Sequence, residues 1–147
     1  MKALSSYSNI HFRHIELGDY FLHTPLEQWY FCTTWNYGSY AIAHLSDALR
    51  LLTLYKYGGY YFDLDFVMLK SVEKYQNFLA PESRSFIASA AIHLEPDHPL
   101  IERALEEFLT TYKYVNQVQK GKAQFKNILN FFFNAGEAIG AITGLSY

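Results

Sequence analysis

The stretch Ser46–Lys70, SDALRLLTLYKYGGYYFDLDFVMLK, limits what this chain can fold into more than any other part of it. From Tyr40 the apolar residues Ala41, Leu45, Ala48, Leu52 and Tyr55 recur at steps of four and three, which marks one face of a helix. Ile42, Leu49, Leu51 and Leu54 widen that face, and the polar strip left over holds His44, Asp47 and Arg50. Gly58 stands just past the last helical residue, where a left-handed backbone is cheap for glycine alone. Gly59 adds a second position that backbone or ligand can approach closely. Tyr60–Lys70 then reads as a strand, broken near Asp63 and Asp65. Residues two apart on a strand share a face, so both carboxylates are expected on one side with Leu64 on the other, their backbones roughly 7 Å apart.

Two carboxylates so placed suit a divalent cation that carries a diphosphate. Hard cations take oxygen ligands, and they often keep waters while binding one or two carboxylates plus phosphates. A nucleotide sugar needs this help, because charge builds on the leaving diphosphate as the bond to the sugar breaks. Asp63 and Asp65 are therefore the candidate catalytic and metal-binding pair, against the plainer reading of two solvated acids at a strand end. Asp47 and Arg50, three apart on the helix, are either a surface ion pair or a cleft-facing pair. His44 is open between ligand contact and a hydrogen-bonded core histidine. Tyr57, Tyr60 and Tyr61 can stack on a base or sugar or simply fill strand and core; Tyr60 is taken as the donor-binding candidate. Glu82, in a Pro81-Glu82-Ser83 turn, is a weaker cleft carboxylate, and His98 is a turn residue.

The 147 residues allow one domain with a real core. A net charge of −2 without a basic face argues against nucleic acid as a partner. Cys32 is the single cysteine, which excludes an intrachain disulfide and a four-cysteine zinc site. Neither a signal peptide nor a membrane span is expected, since the most apolar window, Ile128–Leu145, is interrupted by Asn130, Asn134 and Glu137.

Elsewhere, Ile10–Ile15 alternates as a half-buried strand, and Thr24-Pro25-Leu26-Glu27 predicts a capping box opening a helix that runs to about Phe31. Trp29 and Trp35 are assigned to the core, and Trp35–Ser39 to a turn. Phe86–Leu94 predicts a second strand, and Pro96–Pro99 a turn into a helix ending near Tyr112. Strand–helix–strand alternation predicts an α/β layered domain. No chemistry is legible after Tyr114.

At His44–Glu73, the combined S-D-x-x-R and G-G-x-Y-x-D-x-D pattern is similar to the glycosyltransferases with a DXD sugar-binding region. The likeness extends through YSNIHFRHIELGDYFLHTPLEQWY upstream, and through NFLAPES and PDHPLIERALEEFLTTY downstream, about Tyr7 to Tyr114. It implies a GT-A-like nucleotide-diphosphosugar transferase fold. The implied reaction is retaining transfer of galactose or N-acetylgalactosamine from a UDP-sugar donor to a glycolipid or glycan acceptor, with Mn²⁺ (or Mg²⁺). By position Asp65 would hold the metal, Asp63 would contact ribose and donor sugar, and Asp47 and Arg50 would contact the donor sugar. Such enzymes face the Golgi lumen from a membrane anchor. Relatives begin with an anchor, a stem and a first nucleotide-binding strand, and they continue beyond the Tyr112 helix with acceptor-site elements. The expectation is thus a partial catalytic domain over residues 1–114 and a divergent segment over 115–147, incomplete at both ends and weak or inactive alone.

Three other readings compete. A GDP-mannose-dependent mannosyltransferase shares the layout. A truncated inactive product would pair at most with a full-length relative. An aspartate-nucleophile phosphatase also starts from Asp-x-Asp, but Asp97 is the single aspartate left to it downstream.

Overall fold

A computed structural model of the chain describes residues 6–32, 34–37, 39–83 and 86–118. Two short helices, α1 (Leu17–Phe21) and α2 (Glu27–Phe31), and a 3-10 turn at Thr34–Asn36 lead into the long helix α3 (Ala41–Tyr57). Strands β1 (Gly59–Phe62), β2 (Phe78–Ser83) and β3 (Phe86–Leu94) follow, and α4 (Pro99–Val118) closes the described chain. The sheet runs β1-β3-β2 with both pairings antiparallel.

Helix α3 forms where its periodicity predicts, with Leu51, Leu52, Leu54 and Ala48 buried. These side chains meet Leu100, Ile101, Leu105 and Phe108 from α4, Ile92 and Leu94 from β3, and Phe21, Leu26 and Trp29 from the two short helices. Trp35 packs on that core and stacks on Trp29, as the aromatic content suggested. Ile42 departs from expectation: it is 85% exposed, so the apolar face of α3 is narrower than its composition implies.

The helix stops at Gly58, with φ of 61°. A Cβ there would meet Pro96 N at 2.6 Å and Pro96 Cδ at 2.7 Å, so glycine is required by conformation and by space together. Gly59, at φ of 89°, has open space around it and needs glycine for its backbone alone.

Four predicted elements differ from what forms. Ile10–Ile15 is irregular rather than a strand; its side chains from His11 onward are exposed, because no neighbouring strand among the described residues takes up its backbone groups. The capping box does not close. Thr24 Oγ1 donates to the Phe21 carbonyl, Glu27 Oε2 accepts from the His23 N–H, and α2 starts two residues after Pro25. Pro81–Ser83 belongs to β2 instead of a turn. Proline is tolerated there because β2 is an edge strand, and the register shifts on either side of it. Finally, the helix after Pro99 continues through Tyr112 to Val118. The aspartate strand is also shorter than expected, which shapes the site below. The segment from 119 onward, and with it most of the proposed divergent tail and its apolar window, lies outside the described residues.

Candidate functional site

Strand β1 ends at Phe62, opposite Ala91. Asp63 still donates its N–H to the Ala90 carbonyl at 2.9 Å, and the chain then turns, with Phe66 N–H bonding back to the Asp63 carbonyl at 3.0 Å. Aspartate favours the first position of such turns. The strand over Tyr60–Lys70 breaks at the aspartates, as expected, but does not resume after them: Asp63 closes the ladder, and Asp65 stands in the turn. The two acids do not share a strand face.

Their surroundings differ accordingly. Asp63 Oδ1 accepts from Arg50 Nη2 at 3.1 Å and from the Tyr61 hydroxyl at 2.7 Å. Arg50 Nη1 reaches back to Asp47 Oδ1 at 2.8 Å, so one guanidinium bridges two carboxylates. Its carbon lies 4.8 Å from the Tyr61 ring centroid. The Arg50 side chain is 7% exposed, against 20% for Asp47 and 30% for Asp63. Asp65 is exposed and makes no hydrogen bond or ion pair among the described residues. A cleft of about 330 Å³ opens beside Arg50 and Tyr61, walled by Leu45, Ser46, Leu49 and Thr53 of α3.

Helix and strand make this array inevitable once they pack. Asp47 and Arg50 lie one turn apart on α3. Tyr61 and Asp63, two apart on β1 and its end, point to one side, and the tight Gly58-Gly59 corner folds that side against the helix. Burial dominates the titration of Asp47: it pushes the carboxyl up to about 6, Arg50 counteracts it in part, and Asp63 adds to the rise. Burial works against the charge of Arg50 as well, but Tyr61, Asp47 and Asp63 outweigh it and hold the guanidinium above its ordinary range. Tyr61 is held above the usual tyrosine range by burial, then by its bond to Asp63, with Arg50 opposing.

Of the residues singled out from the sequence, the structure brings Asp47, Arg50 and Asp63 into contact and leaves Asp65 at the rim. Tyr60 goes elsewhere. Its ring lies 4.1 Å from that of His93, and its hydroxyl reaches the Val72 and Tyr75 carbonyls, closing the loop after β1. Tyr61 takes the place beside the acids. The parity of the strand carried that signal, since Tyr61 and not Tyr60 is an even step from Asp63. His44 is packed edge-on against Tyr112 at 5.4 Å, with Nε2 buried and without a hydrogen-bond partner; burial lowers its pKa. Glu82 falls within β2. His98 caps α4, its Nδ1 accepting from the Leu100 N–H at 3.2 Å. Asp97 sits exposed in the turn before that helix.

A second, larger cleft of about 710 Å³ lies between residues 13–16 and the last turns of α3; neither cleft is lined by Asp47, Asp63 or Asp65, but the smaller one is lined by Arg50 and Tyr61, which hold Asp47 and Asp63. No cluster of three or more His, Cys, Asp or Glu able to cage a metal exists among the described residues. The donor set fits an ion of the Mg²⁺ or Mn²⁺ type all the same, because such ions take one or two carboxylates and leave the rest to phosphate and water.

Residues 12–86 match the family described as glycosyltransferase sugar-binding region containing DXD motif. The chain belongs to this family. Asp63-Leu64-Asp65 is the Asp-x-Asp sequence of the matched span, and the bridged carboxylates and Arg50 lie within it. The chain is 33% identical over 112 residues to lactosylceramide 4-alpha-galactosyltransferase of Rattus norvegicus, covering 76% of this chain and 31% of that protein. The enzyme of the same name from Homo sapiens is 31% identical, at 76% and 32% coverage. Alpha-1,4-N-acetylglucosaminyltransferase of Homo sapiens is 28% identical over 109 residues, at 74% and 32%. These relatives are hexosyltransferases by name, and the chain spans about a third of their length. No solved structure matches it. No helix among the described residues is long and apolar enough to cross a membrane.

Proposed function

We propose that this chain is the donor-binding part of a metal-dependent hexosyltransferase that moves galactose or N-acetylgalactosamine, with retention, from a UDP-sugar to a glycolipid or glycan in the Golgi lumen. The observation that carries the reading is the contrast between the two acids of the DXD motif. Asp63 has its Oδ1 saturated by Arg50 and Tyr61, whereas Asp65 is exposed and open to a ligand. A carboxylate already shared with a guanidinium is a weaker metal ligand and a good acceptor for a ligand hydroxyl. Asp65 would hold Mn²⁺ or Mg²⁺, with Asp63 as a lesser ligand. The cation's chemistry at this place is to offset charge on the diphosphate.

The protein's own residues supply the remainder. Arg50 offers a guanidinium to the cleft, and Asp47 holds it from behind through their ion pair, an arrangement suited to sugar hydroxyls. Mixed helices and strands around an antiparallel three-stranded sheet are compatible with a GT-A-type layout. The galactosyl and N-acetylglucosaminyl relatives support a hexose donor and an alpha-1,4 linkage.

The test is thermal unfolding with Mn²⁺ and, in turn, UDP-galactose, UDP-N-acetylgalactosamine and GDP-mannose. A rise with the UDP sugars that EDTA removes is expected. A rise with GDP-mannose alone would transfer the site to mannosyl donors, and no rise with any of them would end the donor reading.

A further inference from the structure

We infer that Tyr61 is a positioning residue for donor binding, acting through Asp63: it fixes that carboxylate by a hydrogen bond and Arg50 by ring contact, leaving Asp63 Oδ2 as the oxygen presented to the ligand. The inference rests on the donor reading above and adds a residue to it.

The geometry is specific. Tyr61 Oη donates to Asp63 Oδ1 at 2.7 Å, and Arg50 Nη2 donates to that same oxygen at 3.1 Å. Two donors thus meet the carboxylate from two directions, and both bonds fall on Oδ1. The ring of Tyr61 meanwhile lies against the Arg50 guanidinium, 4.8 Å from centroid to carbon, where a planar cation is attracted to the aromatic face. Arg50 is itself tied to Asp47. One tyrosine therefore touches both Asp63 and Arg50, and through Arg50 is linked to Asp47.

Its position suits no simpler purpose. Tyr61 is half-buried and lines the cleft beside Arg50, while its neighbour Tyr60 faces the loop closure. A tyrosine that served packing alone would not need its hydroxyl on the motif carboxylate, and phenylalanine would fill the same volume.

Tyr61→Phe separates the roles, since it keeps the ring under Arg50 and deletes the hydroxyl. The measurement is calorimetric titration of the full chain with UDP-galactose at saturating Mn²⁺, with a parallel titration of Mn²⁺ alone. Expected is a loss of about tenfold in donor affinity, the order of one hydrogen bond to a charged group, with Mn²⁺ affinity unchanged. The deciding readout is the cycle with Asp63→Asn. If Tyr61 acts through Asp63, the Phe substitution costs nothing further in a chain that already carries Asp63→Asn, whereas a structural role would add. Donor affinity in Tyr61→Phe equal to that of the parent, or additive losses in the cycle, would overturn the inference and leave the donor site standing. Absence of UDP-galactose binding to the parent chain would overturn both.

Discussion

Single residues at the site carry opposite demands. Asp65 is exposed and makes no hydrogen bond or ion pair among the described residues, whereas Asp47 is mostly buried, so the two should respond differently to substitution. Asp65→Ala is expected to leave stability within about 0.5 kcal/mol and to abolish the Mn²⁺-dependent part of donor binding, checked by urea unfolding and by calorimetry. Asp47 makes a pH prediction. Its folded carboxyl titrates at about 6 instead of 3.8, so the stability it contributes is present below 3.8 and is lost as the pH climbs through about 6. Asp47→Asn keeps the side chain neutral and should not share that loss. The gap between parent and variant in urea unfolding free energy should move by roughly 2–3 kcal/mol at most between pH 4 and pH 7. The acids and Arg50 were legible because S-D-x-x-R and D-x-D name them. The bridge from Arg50 to Asp63 was not, since the two are 13 positions apart with a folded corner between them.

The corner belongs to the next scale, that of helix against strand. Gly58 and Gly59 look alike in sequence and do different work. Both have positive φ, but Pro96 crowds only Gly58. Gly58→Ala should therefore destabilise by roughly 2–4 kcal/mol, combining backbone strain with overlap, and Gly59→Ala by about 1–2 kcal/mol from strain alone. Denaturant midpoints of the two variants give the comparison; equal losses would refute the role of Pro96. Helices α3 and α4 and strand β3 were readable from their periods. β2 was hidden by Pro81, whose cost vanishes on an edge strand, and Ile10–Ile15 had a strand's pattern with no partner to complete it among the described residues. A periodic pattern states which face wants burial. It does not state whether a neighbour exists to provide it.

For the molecule as a whole, apolar surface is the outstanding feature. Leu64, Val67 and Leu69 are 106%, 76% and 89% exposed in the loop after β1, and Ile42 projects from α3. Large apolar side chains exposed in this number promote association. The chain is expected to self-associate as its concentration rises, and Val67→Lys with Leu69→Lys should shift it toward the monomer, as light scattering across a dilution series would reveal. The same loop begins at the motif, so such variants should also be compared for Mn²⁺ binding. Strand β1, finally, has a bonded neighbour on one side alone among the described residues. Its far margin, on the strand that carries Tyr61 and leads into Asp63, has no strand paired with it among the described residues. A backbone segment laid there would brace the ground on which the carboxylate stands, so under the proposed donor reading grip on the nucleotide and completion of the sheet would rise and fall together.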